Sequence, residues 1–250
     1  MGLLISRRAA RTALSRTGIP GEDYCLNPYV GCAHACRYCY ATFMKRYTGH
    51  PEAWGAFVDI KENFAEVLGR ELGKAKRGRV MVSSVTDPYQ PVEARERLTR
   101  RCLEALLEHG FPVDVLTKSP LVVRDMDLLG RFEDAEVGIT ITTDDDRVRK
   151  AFEPHAPPIG ARLRALARLR EGGIRTYVFI GPLLPMDPER LARLILPHAG
   201  SVLMDRMNYP SKTEGVYRRL GLTQWLDGPA LKDAAARLKA ALGDKLSLCY

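Results

Sequence analysis

The chain has 250 residues, 46% of them hydrophobic and 27% charged, with 21 Gly, 16 Pro and 6 Cys, a composition that fits a globular protein and excludes a fibrous or low-complexity one. No apolar run approaches the roughly 20 residues that cross a bilayer, and Arg7, Arg8 and Arg11 interrupt the apolar start before a secretory core develops, so a cytoplasmic protein without a membrane partner is expected. Lys and Arg number 38 against 30 Asp and Glu, and the resulting +8 at neutral pH favours an anionic partner such as nucleic acid without identifying one.

In chain order, residues 1–20 read as a basic, partly ordered lead-in, residues 21–210 as the main unit and residues 211–250 as a helical closing segment of the same domain. An extended segment is expected at Tyr24–Val30. A helix over 61–76 places Phe64, Val67, Leu68 and Leu72 on one face, and a second over 93–109 does so with Leu98, Cys102, Ala105 and Leu106 before Gly110. Ser119 before Pro120 and Asp187 before Pro188 read as N-caps with proline at the first helical position, the second helix running to Gly200. Further helices are expected over 159–171, ending at Gly172 and Gly173, and over 229–242, from Pro229 to Gly243.

Between the helices lie short apolar, β-branched runs, Val80–Val85, Val113–Thr117, Val137–Thr142, Thr176–Ile180 and Val202–Met204, which suit strands covered on both faces. With the Tyr24–Val30 segment they make six strand-then-helix units, which predicts an α/β fold, a partial (β/α)6 TIM-like barrel of parallel strands with outer helices. Such folds collect their functional groups in the loops after the strands. Here those loops read GCAHACRYCY, SSVTDPYQ, TKS, TTDDD, GPLLP and DRMN, so the polar chemistry falls on one rim.

Cys32, Cys36 and Cys39, spaced Cys-x3-Cys-x2-Cys in the first of these loops, can offer three thiolates to three irons of a cubane and leave the fourth iron open. The competing reading is a zinc-stabilised, non-catalytic nucleic-acid-binding protein in which Cys25 supplies a fourth thiolate. It is disfavoured because structural zinc usually uses two cysteine knuckles and only one cluster is present.

The stretch NPYVGCAHACRYCYA, with Asn27, Pro28, Tyr29 and Gly31 leading in and Tyr38 and Tyr40 flanking Cys39, resembles the cluster loop of radical S-adenosylmethionine (SAM) enzymes, particularly the spore photoproduct lyase-like family. The segments SSVTDPYQPVE, LTKSPLVVRD, GITITTDD and FIGPLLP resemble it as well, so the similarity covers about residues 24–186. The resemblance implies a [4Fe-4S] cluster on the three cysteines, S-adenosyl-L-methionine bound to it, and a one-electron donor such as flavodoxin or ferredoxin. It also implies a 5′-deoxyadenosyl radical that takes hydrogen from a substrate. Lys118 stands where relatives direct a lysine to the carboxylate of SAM.

The hydroxyls of Ser83, Ser84, Thr140 and Thr142 suit the methionine moiety or ribose, or else satisfy strand ends. Tyr38 and Tyr40 match tyrosines that relay a hydrogen atom together with a cysteine beyond the second strand, but Val80–Gln90 contains serines and no thiol. A serine O–H bond is too strong to replace that donor, so a substrate other than the spore lesion is expected, with nucleic acid the leading alternative. His34 reads as a tuner of the cluster or as loop filling. Asp144, Asp145 and Asp146 read as helix capping, and His109 and His198 as residues of helix C-termini.

Overall fold

A computed structural model describes residues 2–226 and 228–249. The first strands are β1 (Leu4–Arg8), β2 (Leu14–Arg16), β3 (Tyr24–Leu26), β4 (Tyr29–Val30) and β5 (Phe57–Lys61). They are followed by α1 (Phe64–Leu72), β6 (Val80–Val82), α2 (Glu93–Glu96), α3 (Leu98–Glu108), β7 (Val113–Thr117), α4 (Met126–Leu129) and β8 (Ala135–Thr140). The remainder is α5 (Asp146–Phe152), α6 (Ile159–Glu171), β9 (Arg175–Ile180), α7 (Pro188–Ile195), β10 (Ser201–Met204), α8 (Glu214–Leu220), α9 (Pro229–Leu242) and β11 (Leu246–Leu248).

The main sheet has the order β11-β10-β9-β8-β7-β6-β3-β2. Every pairing in it is parallel except that of β2 with β3. Its two ends do not pair, so the six expected units form an open barrel. Along each central strand one set of side chains, including Val80, Val82, Val113, Val115, Val137, Ile139, Val178 and Ile180, is fully buried in the main core. Leu68, Leu103, Leu106, Leu166, Leu169 and Leu191 of the helices join that core. The alternate positions Met81, Leu116 and Phe179 turn the other way, into the barrel.

Several expectations are revised. Residues 1–20 are not a loose lead-in. β1 pairs with β5, β2 forms an edge of the main sheet, and Glu71 Oε2 accepts from the amides of Ala13 and Leu14 at 2.9 and 2.7 Å. Edge pairing uses backbone groups and needs no apolar pattern, so it left no periodic signal. The Tyr24–Val30 segment divides at Asn27 and Pro28, β3 entering the main sheet and β4 a second sheet of order β1-β5-β4. The helix expected over 61–76 begins only at Phe64 because Lys61 closes β5. The 93–109 helix breaks at Arg97, which has φ 49°, where buried Glu93 turns back to accept from the Thr99 amide at 2.9 Å. After Ser119 the chain makes a 3-10 helix, Pro120–Asp125, before α4. α7 stops at Ile195 rather than Gly200. β11, unread in the sequence, supplies the far edge of the sheet. Among the described residues no helix is long and apolar enough to cross a membrane.

Inside the barrel Gly138 faces Tyr177, whose ring occupies the place a Cβ would take. Gly138→Ala is therefore expected to lower stability by about 1–3 kcal/mol, the range for overpacking. Urea unfolding measures it, and an unchanged midpoint would mean that the Tyr177 ring yields freely.

Candidate active site

The cysteine loop is shaped by the segment that follows β6. Gly31 has φ +85°, and a Cβ there would strike the Phe57 carbonyl oxygen, so only glycine fits this close approach. Its carbonyl accepts from Thr86 Oγ1 at 2.7 Å and from Gln90 Nε2 at 3.2 Å, while Gln90 Oε1 accepts from the Ala33 amide at 2.9 Å. Asn27 Oδ1 accepts from the Val85 amide at 3.0 Å, and Tyr40 donates to the Ser84 carbonyl. On the other side the Arg37 amide donates to Phe152 O at 2.8 Å and the His155 amide to His34 O at 3.3 Å. The loop is thus clamped between the β6 segment and the end of α5.

Held this way, Cys32, Cys36 and Cys39 are free thiols that face one cavity of about 310 Å³. Tyr38, Tyr40, Ser83, Ser84, Lys118 and Thr140 line the same cavity, so nine of the ten residues singled out in the sequence converge there. The exception is Thr142. It is buried and donates its hydroxyl to Glu153 Oε1 at 3.0 Å, so the structure turns it into the protein interior instead of toward a ligand. Cys25 lies in β3 and does not line the cavity. Among the described residues no three His, Cys, Asp or Glu side chains are arranged around a single ion. A mononuclear zinc site needs that arrangement, whereas a cubane takes one thiolate at each of three corners.

Burial pushes the Cys32 thiol up to about 12 and raises those of Cys36 and Cys39 as well. The apo loop is therefore neutral, and binding metal displaces protons from it. Ser83, at φ 72°, has a buried hydroxyl with no protein partner that faces the cavity. Three free thiols, an orphan hydroxyl and an ammonium fit a metal-bound, polar small ligand and would be poorly satisfied without one.

Two carboxylates, neither of them predicted from the sequence, hold this arrangement. Asp87 Oδ1 accepts from Thr117 Oγ1 at 2.6 Å and from the Tyr89 amide at 2.9 Å, and Oδ2 accepts from the Lys118 amide at 2.8 Å. His34 Nδ1 lies 3.3 Å from Oδ2, near enough for attraction but misaligned for a hydrogen bond. Burial would raise the Asp87 carboxyl, but His34 and these donors hold it well below the usual carboxylate range. Glu153, fully buried, receives hydrogen bonds from Tyr38, Thr142 and Arg162, the last itself fully buried. Burial opposes its ionisation, yet Arg162 and Lys118 prevail and the carboxyl falls to about 2. Lys118 shows the mirror image. Burial disfavours its charge, but Cys36 and Glu153 raise its pKa, and its ammonium lies 5.7 Å from the centre of the Tyr38 ring. One signal was available for Arg162, which occupies a position on the apolar stripe of α6 with Ile159, Leu166 and Leu169. Glu153 carried none.

At the mouth, Asp205 to Tyr209 follow β10 and close one side of the cavity. Tyr40, Phe43, Tyr47 and Tyr209 are exposed around it, and the Tyr40 and Phe43 rings stack at 6.4 Å.

The chain belongs to the Radical SAM superfamily, whose profile matches residues 26–195. It is a radical SAM enzyme, dependent on SAM, an iron-sulfur cluster and an electron donor. Among relatives, it is 40% identical over 207 residues to an uncharacterized protein of Methanocaldococcus jannaschii, covering 82% of this chain and 78% of that one. It is 27% identical over 167 residues to the radical SAM Nalpha-GlyT isomerase of Pseudomonas phage M6, covering 66% of this chain and 34% of the phage protein. Its fold matches spore photoproduct lyase with bound AdoMet and dinucleoside spore photoproduct at a TM-score of 0.66 and 14% identity, over 98% of this chain and 82% of that one.

Glu153→Gln leaves Arg162 buried without its counter-charge and is expected to cost about 3–5 kcal/mol at neutral pH in denaturant unfolding. The folded carboxyl titrates near 2, below its ordinary 4.5, so its contribution is full above pH 4.5 and is lost as pH falls toward 2. The gap between wild type and variant should narrow over that window. A gap independent of pH there would contradict the assignment.

Proposed function

We propose that Cys32, Cys36 and Cys39 hold a [4Fe-4S] cluster and that SAM lies in the adjoining cavity, with Lys118 toward its carboxylate and Ser83, Ser84 and Thr140 toward its methionine moiety and ribose. The observation that carries this reading is the convergence of three free thiols, a buried ammonium and an orphan hydroxyl on one cavity. When bound, the cluster supplies one electron, drawn from a carrier such as cytoplasmic flavodoxin or ferredoxin, that cleaves SAM to a 5′-deoxyadenosyl radical able to take hydrogen from a substrate.

The chain's own residues do the rest. Asp87 fixes the backbone at Lys118 and so aims its side chain. Tyr38 gives its ring to the cavity wall while its hydroxyl is committed to Glu153, which suits a positioning role. Tyr40 stands at the rim, 47% exposed, where it can meet a substrate. Met81, Leu116 and Phe179 keep the inner wall apolar and exclude water from the radical's path.

The substrate we infer is a nucleic acid, modified by hydrogen abstraction at a base or sugar. Exposed Tyr40, Phe43, Tyr47 and Tyr209 offer faces on which bases stack, and Lys212 and the net +8 supply attraction to phosphate. The phage relative named for a GlyT isomerase, and the likeness to a lyase crystallised with a dinucleoside, point the same way. Repair of the spore lesion is not the reading, because the loop after β6 carries Ser83 and Ser84 and no thiol to return a hydrogen atom.

Anaerobically reconstituted protein should be brown and should cleave SAM slowly on reduction. Cys36→Ala should lose iron and sulfide, while Cys25→Ala should keep both. Colourless, zinc-loaded protein would overturn the assignment. Lys118→Ala is expected to weaken SAM binding by about 1–3 kcal/mol in calorimetry.

For the substrate, Tyr47→Ala and Phe43→Ala should each weaken single-stranded DNA binding by about 1–3 kcal/mol, in a salt-dependent assay. Equal affinity in both variants would remove the rim from the interface. Multiple-turnover restoration of thymines from the spore dimer by unmodified protein would contradict the exclusion of repair.

A further inference from the structure

The three cysteines sit in different fields. Cys32 faces the Asp87 carboxylate, and Cys36 lies between Lys118 and Glu153. Around Cys39 the neighbours are electropositive. Two of them belong to no part of the loop, the β6 segment or the SAM cavity as described above, and they reach Cys39 from distant parts of the chain.

The first is Trp54, in the turn before β5. Gly55, at φ +96°, has no room for a Cβ because Ala35 occupies the space, and this contact brings the turn against the cysteine loop. The Trp54 ring stands edge-on to Phe57, with centroids 5.9 Å apart at 87°, which fixes its direction. Its indole N–H is buried, has no oxygen or nitrogen acceptor, and is directed at the Cys39 thiol. A buried N–H without an acceptor costs about 1–3 kcal/mol, so its placement calls for a partner.

The second is Lys212, at the end of the 3-10 turn Pro210–Lys212. Its Nζ donates to the Cys39 carbonyl at 3.0 Å and to Thr42 Oγ1 at 2.7 Å, and lies 4.6 Å from the centre of the Tyr209 ring. The stem is thereby held with its charge over the third cysteine. Burial raises the Cys39 thiol, whereas the Ala41 amide, Lys118, Lys212 and Trp54 all act to lower it, favouring negative charge on that sulfur.

We propose that Trp54 and Lys212 are positioning residues that raise the reduction potential of the cluster by acting on its Cys39 ligand, a role that rests on the cluster assignment above. Reduction by one electron from an external one-electron carrier makes the cluster more negative by one charge. An N–H aimed at a ligand sulfur and a fixed ammonium beside it both stabilise the more negative state, and hydrogen bonding to the sulfurs is one of the levers that set such potentials. The enzyme would then accept an electron from a weaker donor than the bare loop would allow.

The test is a redox titration of anaerobically loaded protein, followed by electron paramagnetic resonance of the reduced cluster. Trp54→Phe keeps the ring and removes only the N–H; Lys212→Met keeps the stem and removes the charge. Each variant should titrate at a lower potential than wild type and the double variant lower still. Lys212→Arg should restore most of the shift, and Lys239→Met, on the exposed face of α9, should leave the potential unchanged. Iron and sulfide contents separate the two levels of the reading. Wild type that holds no cluster would undo the cluster assignment itself. Variants with full iron and sulfide and a wild-type potential would overturn this proposal alone, and so would a shift in Lys239→Met equal to that in Lys212→Met, which would show that only net charge matters.

Discussion

Glu153 is fully buried, and the walls of the site depend on keeping it charged. Its burial alone would favour the protonated acid, and the balance is reversed by Arg162, Lys118 and the hydroxyls of Tyr38 and Thr142. Each of those partners belongs to a different element: the cysteine loop, the loops after β7 and β8, and α6. One carboxylate therefore ties together four pieces of chain that are far apart in sequence. A buried ion pair of this kind adds little net stability over an apolar substitute, because desolvating both ions offsets their attraction. Removing one member is costly, and that asymmetry makes the geometry hard to relax. The Tyr38 ring is held in the wall, and the Lys118 ammonium is drawn toward Cys36.

Asp87 performs the corresponding task from the opposite wall. It turns the Thr117–Lys118 corner inward through three hydrogen bonds and faces His34 across the loop. The neighbouring Gln90 pairs with both ends of the Gly31–Ala33 peptide segment. The DPYQ tetrapeptide thus acts as a mould for the cysteine loop, and few of its side chains are free to bind a ligand. Tyr89 is buried against Arg124, at 5.9 Å from ring centre to guanidinium, and belongs to the scaffold.

The alternation of strands and helices was legible because each central strand buries a β-branched face and each helix an apolar stripe, which are periodic signals. The rim was legible for a related reason, since polar and small residues cluster where parallel strands end. What escaped was carried by single residues or by the backbone. β1 and β11 pair through amides and carbonyls and show mixed, half-exposed side chains. Glu153 is one acid at the end of a short helix, and its meaning depends on Arg162 nine residues later and on a tyrosine 115 residues earlier. Thr142 looked like its neighbour Thr140, but the strand ends at Thr140, and the change of direction beyond it sends the two hydroxyls to different places. No local pattern distinguishes them. Trp54 is similar, an isolated indole whose use rests on the absence of a side chain at Gly55.

The unjoined edges of the main sheet bear on how a long molecule is handled. Ile19, beside β3, and Tyr209, after β10, line the same cavity although they come from the two flanks of the strand order. A closed ring of strands would admit a chain only by threading an end. A barrel left open between its flanks admits an interior stretch sideways, and the protein can let go of it without travelling to a terminus.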